Sequence, residues 1–381
     1  MGGHRRDQSD SHVPLRPSAD FDCPANDALE LQAIAAAAAA ARTGVGNMGS
    51  GGPGTGSGGG SLGVANGTVS ISMELSETSI GGAAAPASSR SNEVEDQCRS
   101  EFLKTLIAFL CLQVSAFLNF FLLTVIHDVV PREPLPDLVF MIIPQQRWAW
   151  SLGDVLSTLN SVIAFTIILL HKERWIVLRR LFLLGAIMYG LRAVVLGVTF
   201  LPPSFQNRDE ICQPQVNRTA MYGTEIATRF VTYVVTLGLT SGQEKILCGD
   251  LMFSGHTVVL TLMYFVQLQY TPRGLVLLRY IAAPITFCGI AALVVSGGHY
   301  TMDVLIAYWL TSHVFWGYHQ MFEMKKTDRP HAPMSRLWWF WLCFWFESDV
   351  PEGRLRNRWD WPFPAPAFMH SFMERVNHKL Q

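Results

Sequence analysis

The run FLKTLIAFLCLQVSAFLNFFLLTVI, Phe102–Ile126, is interrupted by one charge, Lys104. A helix that crosses the hydrocarbon core of a bilayer needs roughly 20 mostly apolar residues, and this run is long enough. Working outward, apolar runs recur at Ser151–Leu170, Leu181–Leu201, Gly255–Tyr270, Leu277–Val295 and Val304–Met321, separated by short polar connectors. The pattern predicts an all-α polytopic membrane protein with six transmembrane helices. A further stretch, Tyr222–Leu247, is apolar but broken by Glu225, Arg229, Gly238 and Gly242. It reads as a re-entrant or interfacial segment, or as a seventh span.

Composition agrees. The 381 residues are 49% hydrophobic and 15% charged, whereas soluble domains carry about a quarter charged residues. A net charge of -1 gives no basic signature, so nothing points to nucleic acid. Residues 1–98 differ from the rest, with AIAAAAAAAR, GSGGPGTGSGGGSLG and a Ser-rich run. Such segments bury too little apolar surface to offset their ordering entropy, which predicts a disordered cytosolic tail. Domains are accordingly expected at 1–98, at 99–323 for the membrane domain and at 324–381 for a cytosolic C-terminal tail.

Orientation follows from the basic loops. HKERWIVLRR (His171–Arg180), TPRGLVLLR (Thr271–Arg279) and MKKTDRPHAPMSR (Met324–Arg336) share one side in a six-span arrangement. That side is expected to be cytosolic, together with both termini, and Arg179 and Arg180 read as charged anchors there. The opposite side then carries the sequon Asn217-Arg218-Thr219, a glycosylation site. It also carries Cys212 and Cys248, which can pair in an oxidising lumen or remain two free thiols.

The same luminal side gathers the reactive residues. CGDLMFSGHT (Cys248–Thr257) brings His256, and HYTMDVLIAY (His299–Tyr308) brings His299 and Asp303. Residues four apart share a helical face, so Asp303 reaches the His299 ring if helix begins there. A carboxylate on one ring nitrogen fixes the tautomer and leaves the other as base or nucleophile. Two His and an Asp can instead bind a metal, or each His can be an ordinary interfacial residue. Ser254 and Gly255 open a helix whose backbone N–H groups can meet a phosphate. Asp250 reads as a partner for a His or an amine head group, or as a helix cap. Arg192, deep in a span, reads as a phosphate clamp or a buried ion-pair partner, and Tyr189 as a packing residue.

These motifs resemble those of the sphingomyelin synthase family, C-G-D-x3-S-G-H-T followed by H-Y-[ST]-x-D-V-x3-Y. PLPD (Pro134–Asp137), the spacing of Arg179, Arg180, Tyr189 and Arg192, and WPFP (Trp361–Pro364) extend the resemblance from about Glu101 to Phe368. One departure is Val195, where the family usually has Thr. The resemblance implies a lipid phosphate phosphatase-like core in which His256, His299 and Asp303 are catalytic. It implies that Asp250, Ser254, Gly255, Arg192 and Tyr300 bind substrate. The implied reaction moves phosphocholine or phosphoethanolamine from phosphatidylcholine or phosphatidylethanolamine to ceramide, releasing diacylglycerol. His299 would attack phosphorus, or a His would activate ceramide for direct displacement. MFSGHT and LLHKERWIVLRRL are closer to the branch that makes ceramide phosphoethanolamine. No metal or organic cofactor is implied, and association into a homo-oligomer stays open. The resemblance places the protein in the Golgi, endoplasmic reticulum or plasma membrane. A lipid phosphatase or phospholipase C-type hydrolase with the same triad, and a non-enzymatic transporter or scaffold, are the competing readings.

Overall fold

A computed structural model describes residues 87–216, 222–236, 245–361 and 367–380. The expected tail before residue 87 and the sequon Asn217 lie outside the described residues. The chain divides into two units, Cys23–Asp96 and the remainder. Of the first only residues 87–96, the start of a helix, are described; the second holds every other described element.

The described chain is helical, with two isolated bridges, His171 to Trp359 and Cys212 to Ile246. In order the helices are α1 (Ala87–Val129), α2 (Leu138–Ile142), α3 (Arg147–Leu170), α4 (Arg174–Val198), α5 (Arg208–Ile211), α6 (Tyr222–Val235), α7 (Gly255–Tyr270), α8 (Val276–Val295), α9 (Thr301–Glu323), α10 (Phe340–Phe346) and α11 (Ala367–Leu380). Each of the six expected runs is occupied by a helix. Among the described residues four helices are long and apolar enough to cross a membrane: α1 over Arg99–Val129, α3, α4 and α8. The chain is therefore an integral membrane protein by its helices. α7 has only 16 residues, and α9 is interrupted by Thr311, Ser312, His313 and His319.

The short α7 is wrapped by the stronger helices, and α9 packs chiefly on α7. α7 packs on α3, α4, α8 and α9. Thr257, Thr261 and Gln267 on it are buried. Gln267 donates to Oδ1 of Asn160 at 2.6 Å, and Asn160 donates to the Leu260 carbonyl at 2.8 Å. Gln267 and Asn160, amides that lipid would not tolerate alone, thus find each other inside the bundle. α1 lies along α4, with Phe102 edge-on to Trp175 and Phe109 against Phe182. Its outer face, including Leu103, Leu110 and Val114, is exposed as a lipid-facing surface would be.

The basic connector departs from expectation. Arg179 and Arg180 are not solvent-facing anchors but are 1% and 4% exposed. Arg179 pairs with Glu101 at 2.5 Å. Nε and Nη2 of Arg180 each donate to Glu347 at 2.7 Å, and the Tyr318 hydroxyl donates to the same carboxylate. Helix consequently begins at Arg174 rather than Leu181, and the turn shrinks to His171–Glu173. Glu347 follows α10, whose Phe340, Cys343 and Phe346 are fully buried, so residues after α9 fold back on the bundle.

Tyr222–Leu247 contributes the 14-residue α6, too short to span. Arg229 on it pairs with Asp128 at 3.0 Å. Cys212 and Cys248 form a disulfide, which ties the loop before α6 to the one before α7.

Candidate active site

The site forms where the N-terminal ends of α7 and α9 meet α3. Ser254 caps α7: its Oγ accepts from the Thr257 N–H at 3.2 Å, the role such residues take at orphan helix amides. Helix capping therefore falls to Ser254, not Asp250. His256 follows one residue into the helix. Phe253, just before the cap, has φ +23°, a conformation that costs a non-glycine residue energy. Here the chain turns sharply enough to aim its carbonyl at Arg192, whose Nε donates to it at 3.0 Å.

His299 lies in the connector SGGHY, two residues before α9, and is 3% exposed. The connector needs its glycines. Gly297 has φ +74°, and a Cβ on Gly298 would sit 2.0 Å from Cζ3 of Trp150. Backbone and indole ring pass so closely that only glycine fits.

The rings of His256 and His299 face each other with centroids 6.1 Å apart. The His299–Asp303 pairing expected from four-residue spacing requires helix at His299, and helix begins at Thr301. Asp303 acts on the backbone instead. Its Oδ2 accepts from the Tyr300 N–H at 3.1 Å, and its carbonyl accepts from the Ser254 N–H at 3.3 Å. It thereby fastens the His299 connector to the residue that caps the His256 helix. Nδ1 of His299 is buried with no hydrogen-bond partner among the described residues.

One carboxylate was not anticipated. Asp154, on α3, is buried and places Oδ1 3.4 Å from Nε2 of His256. Its signal in the sequence was available: a lone Asp within the apolar run Ser151–Leu170, expensive in a membrane unless it serves a purpose.

Arg192 reaches the site from α4 and is fully engaged. Besides the Phe253 carbonyl it donates to Oδ1 of Asn119 at 3.1 Å and pairs with Asp250. Of its two expected roles, the buried ion-pair partner is the one visible. Gly255 adjoins it, 3.5 Å from Cζ to a built Cβ. Tyr300 is also occupied: its hydroxyl accepts from Leu135 N–H at 2.8 Å and donates to the Pro202 carbonyl at 3.2 Å. Asp137 of PLPD accepts from Val139 N–H and from both the N–H and hydroxyl of Thr301. The motif thus caps α2 and α9 together.

Burial drives the His299 ring down to a pKa of about 3, aided by the nearby His256 and Arg192 and opposed by Asp250. The ring is neutral at physiological pH, with a lone pair free for attack. Burial pushes the Asp250 carboxyl up, but Arg192, His299 and His256 outweigh it and hold it below the ordinary carboxylate value. Both imidazoles and Asp250 line one narrow cavity walled by Trp150, Phe205 and Tyr233. Among the described residues no group of three or more His, Cys, Asp and Glu could hold a metal ion.

Residues 247–320, which carry both imidazoles, match the PAP2 superfamily C-terminal family. The chain is 82% identical over 287 residues to phosphatidylcholine:ceramide cholinephosphotransferase 2 of Caenorhabditis elegans, covering 75% of this chain and 86% of that protein. The chain belongs to the sphingomyelin synthase family. More distant members of the sphingomyelin synthase family fall into line. Phosphatidylcholine:ceramide cholinephosphotransferase 2 of Rattus norvegicus is 32% identical across 72% of this chain and 75% of its own length. Phosphatidylcholine:ceramide cholinephosphotransferase 1 of Homo sapiens is 30% identical across 70% and 65%. All three carry cholinephosphotransferase names, unlike the ethanolamine-transferring branch suggested by MFSGHT and LLHKERWIVLRRL.

Proposed function

We propose that this sphingomyelin synthase family member transfers phosphocholine from phosphatidylcholine to ceramide, giving sphingomyelin and diacylglycerol. The observation that carries the mechanism is the pair of imidazoles 6.1 Å apart, one neutral and buried, the other beside a carboxylate. His299 attacks phosphorus and a P–N bond forms as the bond to the diacylglycerol oxygen breaks. His256 gives that oxygen its proton. The primary hydroxyl of ceramide then returns a proton to His256 while its oxygen attacks phosphorus, and the P–N bond breaks. Asp154 balances the charge that His256 carries before it gives up its proton and after it regains one. Asp303 is a positioning residue that keeps the two ring-bearing segments in register. The first amides of α7 face the phosphate, and Arg192 holds Asp250 and the Phe253 carbonyl in place beside them.

Choice of head group is supported by the relatives' names and by the cavity walls. Trp150, Phe205 and Tyr233 beside the Asp250 carboxylate suit a quaternary ammonium, which aromatic faces attract. Six membrane crossings, with both termini cytosolic and the site facing the lumen of the Golgi or endoplasmic reticulum or the cell exterior, are supported by the basic connectors sharing one side. The disulfide beside the site accords with that oxidising side.

The test is expression in membranes lacking endogenous sphingolipid synthases, with fluorescent ceramide and either phosphatidylcholine or phosphatidylethanolamine. Labelled sphingomyelin from the choline donor is expected, and none from His299→Ala. Transfer that survives His299→Ala overturns the catalytic assignment. Diacylglycerol release without ceramide favours the hydrolase reading that the PAP2 match brings with it.

A further inference from the structure

Beyond the reaction site, the far end of α7 holds a second constellation. A cleft of about 380 Å³ is lined by Arg273, Arg279, Arg354, Arg356, Arg358 and Asn357. α7 carries His256 at its start and Gln269 near its end, about 20 Å further along the axis at 1.5 Å per residue. Asn357 donates to the Gln269 carbonyl at 2.8 Å, and Arg354 donates to Oε1 of Gln269 at 3.3 Å. The cleft is therefore remote from the imidazoles.

Two separate segments converge to build it. Arg273 and Arg279 come from the α7–α8 connection and the first turn of α8, and the alternating arginines of RLRNR come from the loop after α10. Among the described residues no carboxylate lines the cleft. Among the described residues, none of Arg273, Arg279, Arg354 and Arg356 has a carboxylate oxygen within ion-pair distance. Acidic groups at this end are committed elsewhere: Glu347 to Arg180, Glu323 to Gln269, and Glu352 to the Lys326 N–H. Arg179 and Arg180, by contrast, are each paired with a buried carboxylate. Arg273, Arg279, Arg354 and Arg356 are left with their charge, around one concavity.

We propose that this cleft binds a multiply charged phosphate group. Guanidinium forks suit phosphate oxygens bidentately, and several around one concavity select high charge over a single phosphodiester. The exposed Leu277 and Tyr280, on the same helix start as Arg279, place the cleft beside a lipid-facing surface. A phosphorylated lipid head group and a soluble polyphosphate share this chemistry, and basic pockets at membrane boundaries take such groups.

The full chain is reconstituted in phosphatidylcholine nanodiscs, with thermal melting as the control for folding. One arm adds soluble inositol hexakisphosphate and measures binding by calorimetry. The other compares nanodiscs containing phosphatidylinositol 4,5-bisphosphate with nanodiscs of matched total charge containing phosphatidylserine, and reads the melting temperature. Binding in the first arm identifies a soluble ligand; a rise confined to the phosphoinositide nanodiscs identifies a lipid. In either case Arg354→Ala/Arg356→Ala should weaken binding at least about tenfold, while melting without ligand stays unchanged. Should the double variant melt early, Arg356→Glu alone, on an exposed side chain, carries the same expectation. Failure of both probes to bind, equal effects of phosphatidylserine, or undiminished binding by the variants overturns the proposal.

Discussion

Nε2 of His256 lies 3.4 Å from Oδ1 of Asp154, about two turns into α3. Neither carboxylate oxygen has a hydrogen-bond partner among the described residues, so the ring is the contact that justifies a buried charge. Asp154→Asn keeps the shape and removes the charge. Head-group transfer should fall by about 10²- to 10⁴-fold in kcat, with KM little changed and the melting temperature held or raised. Full activity in this variant would remove Asp154 from the mechanism.

The Gly298 backbone offers a different handle. A methyl group there meets the Trp150 ring at 2.0 Å, so Gly298→Ala must shift either the ring or the His299 connector. Activity should drop at least about tenfold, since displacements near 1 Å are costly to alignment. Trimming the obstacle, in Gly298→Ala/Trp150→Ala, should recover part of the loss relative to Trp150→Ala. Losses that simply add in the two single variants would show that the contact is not responsible.

At the other end of the bundle, Arg180 and Glu347 are both buried and doubly bonded. Removing one partner strands a charge, so Arg180→Met or Glu347→Gln should each destabilise by about 3–5 kcal/mol. The double variant should be milder than the sum. Denaturation in detergent measures the three values, and strict additivity would contradict a direct pairing.

His171 and His299 set a pH dependence of stability. Burial lowers His171 to a pKa of about 4 and His299 to about 3, while the unfolded chain protonates its histidines near 6.5. Above pH 6.5 neither affects stability; below it the unfolded state takes up protons that the folded state refuses. Stability should therefore fall as pH drops from 6.5 towards 4, by about 2 kcal/mol per ring between pH 7 and 5. Melting curves for wild type and His171→Gln over that interval test this, the variant being less steep. Because His299 stays neutral there, it contributes no acidic limb to the rate profile above pH 5.

The apolar runs were legible because length and hydropathy are local properties. So were His256 and His299, which stand in dense motifs. What escaped was long-range. Arg179 and Arg180 resemble loop anchors by charge alone, and their carboxylates come from Glu101 and from Glu347, residues remote in sequence. Asp154 has no neighbour in sequence that hints at His256. The spacing from His299 to Asp303 has helical register but no helix at its first residue. Asp303 therefore grips backbone rather than the ring, and nothing in a four-residue interval distinguishes the two.

The wrapping of α7 has a consequence for how the protein is made. Its 16 residues, with Gln267 turned inward to Asn160, give a nascent chain little reason to settle in a bilayer alone. α3 and α4 precede it and can receive one side, but α8 and α9 emerge later. The ring of His256 meets that of His299 only after nearly the whole membrane region has left the ribosome. A half-synthesised molecule thus lacks one of the two imidazoles on which the proposed transfer depends.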